Sequence, residues 1–371
     1  MTENTVNKNM ENTTNEALDI KKAIQKTVLA MARDPKNTEN YHELARYYAM
    51  QEDYDKVISV YDTLLSIDPN DEQAIMNVGS IYYFQKEFRK ALKYFERAMV
   101  VNPSNYLVYY NLANTYAEMN NFSKALRWYN RTLDFVSTEP EIYNSIAMLY
   151  HDFEDYVEAK AYYEKALSLD PQNLTALVDL GNVCFKLFEY DEAFKYYSQV
   201  FSLEPDNQTV ALCLANTLSL KKDETRANQY FEKALTLQGD SLYRAYICYA
   251  ISKSDFGHYD EAIELYKKAV ELEPEQSKAH ILLGNMYSNQ RRFEEAETEY
   301  KAALKISQLD PDLYILIANT YYMNNEIERS IYSYKAAVGL SPENDEFKLV
   351  YIQVIEDFIE QSRKDEIVEE F

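Results

Sequence analysis

Three features of this 371-residue chain predict an all-α repeat architecture. A pattern of apolar and small residues recurs every 34 residues, each period carries helical spacing twice over, and proline closes most periods. Residues 72–105 show the unit. Ile75, Val78, Gly79 and Tyr82 stand at i, i+3, i+4, i+7, and Phe88, Ala91, Phe95 and Ala98 repeat that spacing, which predicts two amphipathic helices. Gly79, Ala91 and Ala98 are small where Tyr82, Phe88 and Phe95 need facing space, so the two helices are expected to close as an antiparallel hairpin. Pro103 has no N–H to donate and stops the second helix.

Neighbouring units keep the register. Position 8 reads Ala45, Gly79, Ala113, Ala147, Gly181, Ala215, Ala250, Gly284 and Ala318, small in all nine. Position 20 reads Val57, Ala91, Ala125, Ala159, Ala193, Ala227, Ala262, Ala296 and Ser330. Pro35, Pro69, Pro103, Pro171, Pro205, Pro274 and Pro342 close units. Where that proline is replaced by Ser137 or Gln308, Pro140 or Pro311 stands three residues on, at the first position of the next helix, where proline is tolerated. Large residues at positions 4, 7, 11, 17 and 24, small ones at 8, 20 and 27, and proline at 32 make the unit resemble the tetratricopeptide repeat. The resemblance implies a right-handed α-solenoid, a superhelix of helix-turn-helix repeats whose concave groove binds extended peptides or partner helices.

Taken in order, residues 1–16 are rich in Asn, Thr and Glu and are expected to form a disordered tail. Residues 17–37 match the second half of a unit and should cover the apolar end of the stack. Nine repeats follow: 38–71, 72–105, 106–139, 140–173, 174–207, 208–241, 243–276, 277–310 and 311–344. Residues 345–361 read as a capping helix that is apolar on more than one face, which suggests a contact with a second copy of the chain. The acidic tail, 362–371, is expected to fray. The junction near Leu242 is the least regular part, with Glu224 for an aromatic at position 17, Gly239 for the closing proline, Lys253 where Tyr or Leu packs, and Gly257 in the turn. A packing variant with a tilted or re-registered first helix is expected there rather than a hinge.

A net charge of −23 argues against nucleic acid, because phosphate binding draws on Lys and Arg to release counterions. The sequence shows neither a signal-peptide h-region nor an apolar run long enough for a bilayer, so a cytoplasmic protein without membrane contact is expected. Cys184, Cys213 and Cys248, with no CxxC, fit a reducing compartment and small structural thiols. The 35 tyrosines are expected to fill gaps between helices with their hydroxyls at the rim.

Positions 4, 7, 8 and 11 of each first helix are committed to packing, which leaves 2, 5, 9, 12 and 13 on the opposite stripe. By the resemblance this stripe lines the concave groove. Position 9 is Asn114, Asn182, Asn216, Asn285 and Asn319, and Asn77 and Asn111 add amides at position 6. Each amide offers a donor and an acceptor to a peptide backbone. Similar asparagine ladders occur in the repeats of O-GlcNAc transferases. Tyr83, Phe84, Phe185 and Tyr322 add apolar anchors. Acidic residues outnumber basic ones on the stripe, favouring a basic or neutral ligand. Position 5 carries no lysine and position 6 no basic residue, so the carboxylate clamp of heat-shock co-chaperones is absent.

His42, His151, His258 and His280 are isolated, without metal spacing, nucleophile elbow or glycine-rich phosphate loop. A non-catalytic scaffold without cofactor or metal is therefore expected, binding a protein or peptide ligand in its groove. An accessory subunit presenting substrates to a separately encoded enzyme, such as a glycosyltransferase, and a peptide-responsive regulator are the alternatives.

Overall fold

A computed structural model describes residues 19–237, 239 and 242–369. The tail expected to be disordered, residues 1–16, lies outside them. Among the described residues every regular element is a helix, beginning with α1 through residues 19–33. Hairpins follow: α2 (Thr38–Met50) and α3 (Tyr54–Ile67), α4 (Glu72–Phe84) and α5 (Phe88–Val101), α6 (Tyr106–Glu118) and α7 (Phe122–Leu133), α8 (Pro140–Asp152) and α9 (Tyr156–Leu169). Next in the chain come the single helices α10 (Leu174–Lys186) and α11 (Tyr190–Leu203), then the hairpins α12 (Gln208–Leu220) and α13 (Glu224–Thr236), and α14 (Leu242–Asp255) and α15 (Tyr259–Leu272). The last are α16 (Ser277–Asn289) and α17 (Phe293–Ile306), α18 (Pro311–Met323) and α19 (Ile327–Leu340), and the single helix α20 (Asp345–Glu369).

The chain divides between Leu187 and Phe188 into two compact units. In the first, α2 to α10 pack each on the next, and α4, α6 and α8 also touch one another in series. In the second, α11 to α20 pack in sequence, with α12 against α14 and α16 against α18. Within each unit the even-numbered helices thus line one side and the odd-numbered helices the other.

What closes a hairpin is the ring at position 24 driven against the small residue at position 8. Phe95 and Tyr300 are each 1% exposed. A Cβ added to Gly79 would meet the Phe95 ring at 2.7 Å, and one added to Gly284 would meet Tyr300 at 2.6 Å. Burying such a ring contributes about 1.5–3 kcal/mol, and only a residue without bulk lets it in. A second tie runs between hairpins, where the hydroxyls of Tyr41, Tyr109 and Tyr143 donate to the carbonyls of Pro35, Pro103 and Ser137. Pro140 and Pro311 open α8 and α18 in their first turns.

The turn inside each hairpin is a left-handed cap. Glu52, Lys86, Asn120, Glu154, Phe188, Lys222, Arg291 and Asn325, all at position 15, have φ between 53° and 62°, and Gly257 takes the same place at 84°. The N–H that follows this residue bonds back five residues, as in Asp53 to Tyr48 and Glu87 to Tyr82, which satisfies a carbonyl that the helix end leaves open. Gly257 is therefore no irregularity of the seventh repeat; it is the one residue of the nine without a Cβ penalty.

The other oddities of that junction compensate one another. Phe122 of the third repeat stacks edge-on against Tyr150 of the fourth at 5.2 Å, joining positions 17 and 11 of successive repeats. Between the sixth and seventh repeats the same two positions are Glu224 and Lys253. Lys253 is 7% exposed, with its Nζ 4.0 Å from Glu224 and 2.7 Å from Glu261, while His258 Nε2 lies 2.9 Å from Glu224. An aromatic contact has become a charged one in the same place. The missing proline is answered by Gln208, 5% exposed, whose Nε2 donates to the Ala234 carbonyl at 2.9 Å.

At the far end α20 packs Val354 and Tyr351 against Ala318 and Tyr334. It runs to Glu369, beyond the expected end at 361, since the added stretch has no Pro or Gly and includes Arg363, Lys364, Glu366 and Glu369, all good helix formers.

Lys253→Met is expected to lower stability by about 1–2 kcal/mol in urea denaturation, because Glu224 and Glu261 lose their buried partner. Adding Glu224→Leu should recover most of that loss; a double variant no more stable than the single one would show that the pair is not what joins these repeats.

Candidate functional site

Helices α2, α4 and α6 present positions 2, 5, 6, 9, 12 and 13 to one side of the first unit, and two cavities open there. The larger, 740 Å³, is lined by Glu39, His42, Glu43 and Arg46 from α2 and by Gln73, Asn77, Ser80 and Phe84 from α4, with Tyr61 beneath. The smaller, 140 Å³, lies between α4 and α6 and is lined by Ser80, Tyr83, Phe84, Phe95, Asn111 and Asn114. Ser80 and Phe84 belong to both, and Phe84, 81% exposed, stands on the shared rim. Five sequence-predicted residues, Asn77, Asn111, Asn114, Tyr83 and Phe84, are thereby brought together.

The floor is held by polar ties that orient these side chains. Asp71 caps α4 by accepting from the Ala74 N–H at 2.8 Å, and its other oxygen lies 2.8 Å from His42 Nε2. His42 Nδ1 has no partner and is buried. Asn77 Nδ2 donates to the Tyr61 hydroxyl at 2.9 Å. Glu43 accepts from the Tyr47 hydroxyl at 2.9 Å and from Thr27 of α1 at 3.4 Å, so the helix that precedes the first full repeat helps to fix a groove carboxylate.

Position 9 has a structural duty that the sequence reading did not assign. The Tyr129 hydroxyl donates to Asn114 Oδ1 at 2.6 Å, Tyr300 does the same to Asn285 at 2.7 Å, and Tyr334 to Asn319. Burial pushes the Tyr300 phenol up to about 12, so its hydroxyl keeps the proton it donates across the physiological range. The acceptor half of each of these amides is therefore turned inward to the ring at position 24, and what it offers a ligand is its Nδ2. The pattern was visible in the sequence, since Asn114, Asn182, Asn285 and Asn319 each precede a tyrosine by 15 residues. Asn216 differs in facing Phe231, which has no hydroxyl.

Elsewhere the predicted residues are dispersed. Asn182 and Phe185 are half-buried on α10. Asn216, Asn285 and Asn319 lie on α12, α16 and α18 of the second unit. Tyr322, 41% exposed, donates its hydroxyl to Asp357 of α20 at 2.8 Å and so serves the cap. Gln73, Ser80 and the His42–Asp71 contact were not among the predicted site residues; Gln73, His42 and Ser80 stand at positions 2, 5 and 9 of the stripe, and that placement was the signal for them.

Asp179 occupies position 6 of the fifth repeat. Burial holds its carboxyl above the usual carboxylate range, against the opposing pull of His151 and a hydrogen bond with Asn182. Burial likewise pushes the Cys213 thiol up, which disfavours the reactive thiolate. Among the described residues no group of three or more His, Cys, Asp or Glu is placed to hold a metal ion, and no helix is long and apolar enough to cross a membrane.

Sequence models of the tetratricopeptide repeat match residues 71–137, 138–203 and 255–320, and the chain belongs to that family. No curated protein sequence matches it. Its fold is similar to a tetratricopeptide repeat protein from Parabacteroides merdae, with 18% identity and a TM-score of 0.53 over 67% of this chain and 98% of that one. It is also similar to yeast Tom70, with 16% identity and a TM-score of 0.50 over 96% of this chain and 95% of that one. These likenesses establish an all-α tetratricopeptide solenoid. Proteins of this family bind protein partners, and the fold is typically a non-enzymatic scaffold.

A carboxyl whose folded pKa is raised adds stability while protonated, below about pH 4, and loses it as pH rises through the folded value. Asp179→Asn should therefore melt at a higher temperature than wild type at pH 7, with the gap closing below about pH 4. An equal or lower melting temperature at pH 7 would mean that the buried carboxylate is fully compensated.

Proposed function

We propose that this protein is a non-catalytic cytoplasmic scaffold that holds an extended peptide or protein segment of basic or neutral character in the groove of its first unit. The observation that carries this reading is the pair of adjoining cavities sharing Phe84. Phe84 meets the Tyr83 ring edge-on at 5.7 Å and leaves most of its surface open, and exposed aromatics beside polar pockets are where binding energy concentrates. The amide of Asn111, the Nδ2 of Asn114 and the hydroxyl of Ser80 supply donors and acceptors for a ligand backbone. Glu39 and Glu43 outweigh Arg46 in the larger cavity, which favours a cationic side chain there.

Peptides selected by display against the purified chain should carry Lys or Arg beside an apolar residue. Phe84→Ala and Asn111→Ala, confirmed folded by circular dichroism, should each weaken the selected peptides by about tenfold, the 1.4 kcal/mol of one modest hot spot. Selected peptides that bind both variants as tightly as wild type would place the ligand elsewhere.

A homodimeric contact through α20 is also proposed. Its outward face exposes Leu349 by 67% and Ile352 by 51%, one helical turn apart, on a helix whose other face already covers the last repeat. Sedimentation should then show a concentration-dependent dimer that Leu349→Glu abolishes; a monomeric wild-type chain at high concentration refutes the contact.

A further inference from the structure

Position 23 of the second helix is aromatic in the second to sixth repeats, as Tyr94, Trp128, Tyr162, Tyr196 and Tyr230. These rings share one place. Tyr94 and Tyr162 lie against the position 11 rings of their own repeats, Tyr82 and Tyr150, at 5.6 and 5.5 Å. Trp128 stacks on the position 4 ring, Tyr109, at 5.9 Å, and Tyr230 meets Phe201, at position 28 of the repeat before, at 5.6 Å. In the eighth repeat Glu299 takes the place and is held by His280, at position 4, at 2.7 Å.

The ninth repeat has Ser333 there. Its hydroxyl turns back to the Arg329 carbonyl at 3.0 Å, and nothing fills the space where the ring would lie. A 350 Å³ cavity results, walled by Leu304, Tyr314, Ile317 and Tyr321, which are positions 28, 4, 7 and 11, the partners of the rings elsewhere in the array. The Arg329 guanidinium covers one wall, 4.0 Å from the Tyr321 ring centroid, and bonds Glu297 at 2.8 Å. The cavity is thus preformed and pinned open, at a size sufficient for a ring: pockets of about 300 Å³ hold small ligands, and an apolar void of about 150 Å³ takes up benzene.

We propose that this cavity is a docking site for a tyrosine side chain presented by a partner protein. Four of the five rings that fill the equivalent place are tyrosines, which sets the shape of the occupant. The chemistry of its edge is set by position 25 of the preceding repeat. In the second repeat the Tyr94 hydroxyl lies 3.4 Å from Asp62, at that position of the first. Here position 25 is Lys301, whose Nζ bonds Glu297, and Glu328 also lines the cavity, so an incoming phenol meets an ammonium donor and a carboxylate acceptor. This site lies on the second unit and is independent of the groove proposed above.

The test uses N-acetyl-tyrosinamide and p-cresol as probes, followed by NMR of the full chain. Wild type should bind both, with shifts confined to Tyr314, Tyr321 and their neighbours. Ser333→Ala should bind equally, since it leaves the cavity open, whereas Ser333→Tyr should weaken the probes at least tenfold and melt at a higher temperature. Should Ser333→Tyr fail to fold, Ser333→Leu, which fills the same space less fully, decides the question by the same loss of binding. Wild type that binds neither probe, or a filled variant that binds as well as wild type, overturns the proposal. A wild-type dimer abolished by Ser333→Tyr would also overturn it, because a second copy of this chain would then be the occupant in place of a partner protein.

Discussion

The ring at position 24 and the small residue at position 8 set the distance between the two helices of a hairpin, and most other features of the repeat adjust to that distance. With a small residue at position 8, as at Ala113, Gly284 and Ala318, the helices sit close enough for a tyrosine hydroxyl at position 24 to reach the amide at position 9. That bond turns one half of the amide inward and the other toward the groove. Packing and surface chemistry are therefore coupled through a single side chain. A change of ring at position 24 alters what the groove presents at position 9.

This coupling explains which parts of the site were legible in the sequence. Helix number, register and hairpin boundaries followed from 34-residue spacing, because steric fit at positions 8, 20 and 24 leaves a pattern of sizes. The groove positions followed too, since they are what remains after packing positions are removed. The division of labour within each asparagine did not, because its partner lies 15 residues away on the other helix and a hydroxyl makes little difference to a size pattern. The bond of Tyr322 was not legible for a related reason: its partner, Asp357, sits on the cap beyond the last repeat, where the period gives no guidance. The extension of α20 to Glu369 escaped because its helical signal is propensity alone, without apolar spacing.

Departures from the pattern are of two kinds, and the structure separates them. Glu224 and Lys253 break the size rule together and meet across the same interface that Phe122 and Tyr150 occupy elsewhere, so a polar contact substitutes for an apolar one with the geometry retained. Glu299 and His280 do likewise. Ser333 breaks the rule without a compensating partner and its loss of volume remains as a cavity, and Leu265, which also replaces a ring at position 23, borders a comparable cavity of 370 Å³ in the seventh repeat. An isolated exception in a repeat thus marks a place where something outside the repeat can act, whereas a paired exception marks only a change in the means of holding it together.

The left-handed residue in each intra-hairpin turn bears on the stability of the array. Eight of the nine such positions among the described residues carry a side chain; Asn120 and Asn325 tolerate the conformation, and at the other six it costs about 1–2 kcal/mol. Glycine at these turns would remove that cost at the price of a floppier unfolded chain. Since the turns lie in separate hairpins, the gains would be largely additive. Glycine at several of these turns at once is therefore expected to stabilise the array by the sum of the single gains, each the left-handed cost less the entropy that the added glycine loses on folding.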